Sequence, residues 1–397
     1  MAGSIQDRGN GKYYLTVSAG FDGQGKRIRK TKTVTAKSPA DARKKLALFV
    51  AEVERKEYVS PSNTKFRTFV ELWKKRAKKQ LAPKTMELYT YLLDSRMIPA
   101  FGNIRLENIT LVRLNDYMEK LEEEGLSSNT RLKHYNLFNN LFNLALKLKL
   151  ISENPMDGVD RPKREQKETN VYDSQELKRL FLLLNEEKNK QMVLMVKLAL
   201  KTGMRKGELL GLRWEDVDFA TNTIHVRHSL SYTKEEGYQI KDTKTKNSNR
   251  KVAPPKKLMK ELQKHIHHKR EEKAAAAELW DDTFGNLVFS TPGKSEGDTL
   301  SLFGKPIHQD SPNRWWRRFL DRVNAEAEKN GQSKLKKIRF HDLRHTAATD
   351  LINKNAHPNA ISKRLGHANI STTINIYGHH LEEADQKIAD MLDEDYI

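Results

Sequence analysis

Two arginines, two histidines and a tyrosine suited to oxyanion chemistry follow one another in the second half of the chain. Arg205 lies in TGMRKGELLGLRWEDVD, His341 and Arg344 in IRFHDLRHTAATDLI, and His367 and Tyr377 in LGHANISTTINIYGHH. A guanidinium is an always-charged planar fork that holds an oxyanion through paired hydrogen bonds. Imidazole moves protons near neutral pH. A phenol, with a reference pKa of about 10, becomes a nucleophile only where cations stabilise the phenolate or a base takes its proton. Taken singly, each residue has a plainer reading; Arg205 could simply bridge to Glu208 or Glu215.

The surrounding residues say which elements must carry these groups. Leu209, Leu210, Leu212 and Trp214 form an amphipathic stretch that anchors Arg205 on a packed element. His341 and Arg344 stand three apart, so on a helix they share a face, while Phe340, Leu343, Ala347 and Leu351 serve the core. On this pattern His345 points away from that face. Asp173 and Glu176 form a capping-box pattern that opens the region, followed by an apolar helix around Met192 to Leu200.

The chain has 397 residues, too many for one ordinary core and enough for roughly two to four domains. Its 72 Lys and Arg outnumber 52 Asp and Glu, for a net charge of +20 and a pI near 9.7. A polyanion is the expected partner, against the plainer alternative of solvated basic faces. The absence of cysteine excludes disulfides, thiolate zinc sites and cysteine nucleophiles. No signal-peptide run and no membrane-length apolar stretch stand in a sequence of mean hydropathy -0.76, so a cytoplasmic protein is expected.

Residues 1–60 read as a small sheet-plus-helix unit. KYYLTVSA alternates, turn residues follow, and a second extended run carries Lys26, Arg27, Arg29, Lys30 and Lys32 before a helix opened by Pro39. A basic two-stranded ribbon fits a DNA major groove; it could equally be an edge strand guarded by charge. Residues 66–156 show helical periodicity broken at Ala82-Pro83, Phe101-Gly102 and Gly125 to Ser128, which predicts about four helices. Residues 157–171 are polar and aperiodic, as a linker should be, and 172–397 hold the candidate chemistry.

TGxR, HxxR, LGH and a following tyrosine, in this order and spacing, resemble the signature of the tyrosine recombinases of phage and conjugative-transposon integrase type. The resemblance implies a multidomain α+β fold. Its parts would be a small N-terminal β-sheet-plus-helix arm-binding domain, an all-α core-site-binding domain, and a mainly α catalytic domain with a small β-sheet. It implies that Arg205 and Arg344 grip the scissile phosphate, that His341 and His367 complete the pocket, and that Tyr377 attacks phosphorus. The product would be a 3'-phosphotyrosyl link and a free 5'-hydroxyl, with no metal, ATP or other cofactor. The family protonates the leaving oxygen from a lysine in a strand turn, here within IKDTKTKNSNRKVAPP; Lys244 is preferred and Lys246 stays open. Glu208, in the family's acidic position, either orients the pocket or is a helix-surface charge. Expected partners are double-stranded DNA at core and arm sites, sister copies in a homotetramer, and an accessory DNA-bending or excision-directing protein. The acidic amphipathic tail, LEEADQKIADMLDEDYI, would pack on a neighbouring protomer or in cis.

Other features carry less. Gly293-Lys294-Ser295 fails as a P-loop because Val288 occupies the required glycine position. His265, His267 and His268 lack a firm zinc pattern and are expected on the surface, and His379 and His380 are read as helix-surface or DNA-proximal groups. In NRWWRRFL, Trp316 and Phe319 should pack while the arginines meet backbone phosphates. The rival functions are a type IB topoisomerase-like relaxing enzyme and a catalytically silent DNA-binding regulator.

Overall fold

The structure, a computed structural model, describes residues 3–21, 27–54, 63–165, 170–242, 249–292 and 303–366. The chain divides after Gln166 into two compact units.

The first unit begins with a three-stranded antiparallel sheet in the order β1 (Gly3–Asp7), β2 (Lys12–Phe21), β3 (Arg27–Thr35), against which packs α1 (Pro39–Glu54). The β2–β3 hairpin is as expected; β1 escaped the sequence reading because GSIQD has little apolar alternation. Tyr13, Leu15 and Val17 bury one sheet face against Ala42, Phe49 and Val53. Residues directly opposite in an antiparallel pair share a face, so the register sorts the basic strand. Lys32 lies opposite Leu15 and Lys30 opposite Val17, on the helix side, whereas Arg29 lies opposite Ser18 on the open side.

A separate helical core follows, built by α2 (Phe66–Ala77), α3 (Pro83–Leu92), α4 (Ile98–Phe101), α5 (Leu111–Glu123) and α6 (Ser128–Lys147). A π-helical turn over Leu93–Met97 joins α3 to α4. The expected breaks at Pro83 and around Gly125 fall between helices, and Phe66, Phe101, Tyr117 and Phe138 interlock at the centre. The unit runs past its expected end. Val159 joins this core, Ser128 Oγ donates to the Lys163 carbonyl, and Asn129 Nδ2 donates to that of Glu165 at 2.9 Å. Lys163 and Glu165, in the expected linker, are therefore held by side-chain-to-backbone hydrogen bonds that composition does not reveal.

In the second unit, α7 (Ser174–Glu186) starts on the predicted capping box. Asp173 Oδ1 accepts from the backbone N–H of Gln175 and Glu176, both at 2.8 Å, and Glu176 Oε2 accepts from that of Asp173 at 3.0 Å. Then come α8 (Lys190–Thr202), α9 (Lys206–Leu210), and strands β4 (Val217–Asp218), β5 (Thr223–Val226), β6 (His228–Thr233), β7 (Gly237–Asp242) and β8 (Arg250–Val252). These strands pair as a sheet of order β4-β5-β8 and as a β6-β7 hairpin. Four longer helices follow among the described residues: α10 (Lys256–Ala276), α11 (Ser311–Lys329), α12 (Asp342–Asn353) and α13 (Pro358–Leu365). Apolar α8 lies at the centre, in contact with α10 and α12, as its nearly continuous burial requires. Among the described residues no helix is long and apolar enough to cross a membrane.

Candidate active site

The site is built on two helix ends. Helix α8 stops at Gly203, whose left-handed φ of +69° a side chain would strain. A Cβ there would also stand 2.3 Å from Leu365 Cδ2, so with glycine here the Leu365 side chain of α13 sits directly on the end of α8. Helix α13 stops the same way at Gly366, φ +68°. Each cap then receives a guanidinium from elsewhere. Arg344 Nη1 donates to the Gly203 carbonyl, and Arg205 Nη2 donates to the Gly366 carbonyl at 3.0 Å. The glycines of TGxR and LGH thus orient the arginines of HxxR and TGxR.

Arg205 precedes α9, and its side chain remains 38 % exposed, open to a ligand. Its Nη1 donates to Glu208 Oε1 at 2.8 Å and its backbone N–H to Oε2 at 2.9 Å. Glu208 is no surface charge: it is 3 % exposed and also accepts from Arg250 Nη1 at 3.2 Å and Nη2 at 2.9 Å. Burial works to raise its pKa, but Arg250 and then Arg205 outweigh it and hold the carboxylate ionised below its ordinary range. Glu215, the other partner considered for Arg205, pairs with Arg213 instead.

His341 and Arg344 come together at the first turn of α12, with Arg344 buried and His341 open to solvent on one side. The protein packed against its other side, then the charges of His345, Arg344 and Arg205, push the His341 pKa down to about 4. The imidazole is therefore neutral at pH 7. The expectation for His345 is corrected: its ring stands edge-on to that of His341, centroids 5.4 Å apart. Four residues along a helix return closer to the starting direction than three do. Asp342 is buried and braces this turn, accepting from Arg339 Nε at 3.0 Å and Nη2 at 2.9 Å.

Arg205 and Arg344 thus anchor on two neighbouring helix caps, and both lie near enough to His341 for their charges to act on it. His367, Tyr377, Lys244 and Lys246 lie outside the described residues, as do Lys26, the Gly293-Lys294-Ser295 run, His379, His380 and the tail. Of the basic strand, Arg27 and Arg29 are exposed, whereas Lys32 pairs with Glu52 at 2.9 Å and stands 5.7 Å over the Phe49 ring.

Sequence reasoning missed Arg250. The signal was present: in Arg-Lys-Val on a strand, Arg250 and Val252 share a face, and Val252 is core. It also misplaced His265, which is buried with Nε2 2.9 Å from the Val288 carbonyl oxygen. His267 and His268 are exposed as expected, but His268 has a carboxylate four residues on, with Nε2 3.1 Å from Glu272 Oε1. Trp316 and Phe319 pack, as expected, and Arg317 and Arg318 are exposed.

Residues 170–384 match the model of the phage integrase family, and residues 65–122 that of the phage integrase N-terminal SAM-like domain. The chain belongs to the phage integrase family. It is a tyrosine-type site-specific DNA recombinase, an enzyme that cleaves and rejoins DNA strands, and the relaxing-enzyme and silent-regulator readings are not favoured. The recombinase is 28% identical to a tyrosine recombinase XerC-like protein of Caldanaerobacter subterraneus subsp. tengcongensis, over 98% of each chain. It is 27% identical to the ICEBs1 integrase of Bacillus subtilis, over 98% of this chain and 99% of that one. Its fold matches the Tn1549 transposon integrase, solved in complex with a circular intermediate DNA, with a TM-score of 0.62 and 22% identity over 78% of this chain and 94% of that one. It also matches a lambda integrase tetramer bound to a Holliday junction, TM-score 0.53 and 16% identity, over 94% of each chain.

Proposed function

We propose that this recombinase moves a conjugative or phage-borne element into and out of a bacterial chromosome in the host cytoplasm, with Tyr377 as nucleophile. Arg205 and Arg344 bind the nonbridging oxygens of the scissile phosphate, where charge grows as the phenolic oxygen approaches phosphorus. Neutral His341 accepts a hydrogen bond or the phenol proton, and His367 completes the pocket. Tyr377 forms the 3'-phosphotyrosyl bond while Lys244, with Lys246 as the alternative, protonates the departing 5'-oxygen. The reverse attack by a 5'-hydroxyl from another duplex reseals the strand, and the phosphodiester energy is conserved in the covalent link.

The observation that carries this reading is the reciprocal pair of bonds between two guanidiniums and two glycine caps. It leaves Arg205 anchored while 38 % of its side chain stays exposed. Residues 1–60 are assigned to arm-type sites, 66–156 to the core site and 172–397 to catalysis. On the N-terminal sheet, Arg27 and Arg29 face the DNA, and Lys30 and Lys32 serve the helix side. By analogy with the lambda integrase tetramer on a Holliday junction, four copies assemble on two duplexes. An accessory DNA-bending or excision-directing protein, drawn from the family resemblance alone, sets direction.

The test is a nicked suicide duplex of the element's end, scored for an SDS-stable protein–DNA adduct. Wild type links and Tyr377→Phe binds without linking. Tight binding with no adduct from wild type would remove the catalytic reading. Lys244→Ala and Lys246→Ala, run in parallel, decide the general acid: the one that stalls on a 5'-oxygen leaving group is the proton donor.

A further inference from the structure

Arg250 opens β8 with only 8 % of its surface exposed, and its guanidinium hydrogen-bonds back to the site. Nη1 and Nη2 grip Glu208, and Nε donates to the Arg364 carbonyl at 2.7 Å, two residues before the Gly366 carbonyl that holds Arg205. Arg364 is itself held, donating through Nη2 to the Lys201 carbonyl at 2.7 Å and that of Ala253 at 3.0 Å. Arg250 therefore joins three pieces distant in sequence: β8, the start of α9 through Glu208, and the end of α13.

Counting charge shows why this matters. Arg205 and Arg250 bring two positive charges and Glu208 one negative, so the cluster is +1 in total. Without Arg250, the cluster would be neutral, and a buried carboxylate with two unfilled lone-pair directions would compete with phosphate for the Arg205 fork. With it, both Glu208 oxygens are engaged by Arg250 as well, the cluster keeps a net positive charge, and 38 % of the Arg205 side chain stays exposed. A lysine could supply the charge but not the two-pronged grip plus the third bond.

We propose that Arg250 is a positioning residue for strand cleavage, acting through Glu208 to keep the site net positive and Arg205 aimed at the scissile phosphate. The inference rests on the reading that Arg205 binds that phosphate. Arg250→Met should slow adduct formation on the suicide duplex by about 100-fold, the scale of a catalytic group displaced by about 1 Å. DNA affinity should change little, because a buried residue does not touch the duplex.

The deciding readout is a duplex with a methylphosphonate at the scissile position, where a methyl group replaces one charged nonbridging oxygen and less charge develops. Arg205→Ala and Arg250→Met should each lose much of their defect relative to wild type on this substrate. If Arg205→Ala is relieved and Arg250→Met is slowed equally on both substrates, Arg250 only supports the fold and the proposal is overturned. If Arg205→Ala is not relieved either, the phosphate-binding reading fails and the proposal falls with it. Arg250→Lys, which keeps the charge, carries the same comparison should the methionine variant melt early. It is expected to show a smaller defect with the same relief.

Discussion

The helical domain and the catalytic unit each bury a polar pair, and they do so in opposite ways. In the helical domain Tyr117 Oη and His134 Nδ1 are 3.0 Å apart among aromatic rings. Burial, then Arg96, pushes His134 down to about 4, so the pair is neutral, and His134 Nε2 has no hydrogen-bond partner among the described residues. In the catalytic unit Glu208 and Arg250 are a full ion pair at 2.9 Å, extended to an Arg205 that stays partly in solvent. Desolvating two charges is costly, and well-packed apolar residues can often replace such a pair without loss of stability. The ionic version makes sense where the end of the network must remain charged for a ligand. The neutral version suffices where the pair only fills a core.

Breaking each pair from one side tests this contrast. Glu208→Ala strands the buried Arg250 guanidinium and should cost about 3–5 kcal/mol in urea unfolding of the catalytic unit. Tyr117→Phe should cost about 1–3 kcal/mol in the helical domain, since His134 loses its partner. Double replacements sharpen the comparison. Tyr117→Phe with His134→Leu should return close to wild-type stability, with recombination intact. Glu208→Met with Arg250→Met should recover stability relative to Glu208→Ala yet still cleave slowly. If that double variant cleaves at the wild-type rate, the ionic network has no catalytic purpose.

Acid should weaken both units. His134, His265 and His341 are each held near 4, below the ordinary histidine value of about 6.5. Between those values the unfolded chain binds more protons than the folded one, so stability rises with pH and is lost as pH falls from about 6.5 toward 4. Glu208, with its pKa lowered in the fold, adds to the loss in the carboxylate range below that. Urea midpoints at pH 7 and pH 5 check the sign; a flat profile would mean these histidines are not held neutral. The smallest expected effect concerns the N-terminal sheet. Arg29→Ala should lower the magnitude of the salt slope of arm-site binding by about 1, and Lys32→Ala should leave it unchanged. The opposite order would place the DNA on the helix side of the sheet.

The sequence by itself determined the helical periods, the capping box at Asp173, the hairpin, and the order of Arg205, His341 and Arg344. These are short-range matters, set by alternation, turn residues and spacing along one element. What only the tertiary structure decided is who meets whom across long stretches of chain. Gly203 and Gly366 had to be brought to Arg344 and Arg205, and Glu208 to Arg250, before their roles could be told from those of ordinary caps and surface charges. His265 and Lys32 changed standing for the same reason, because burial and the two sides of a sheet are properties of packing. A charged residue looks alike in one dimension whether it faces water, a carboxylate or a phosphate. The difference lies in the desolvation and hydrogen bonds that neighbours supply, and those neighbours are assembled only by the fold.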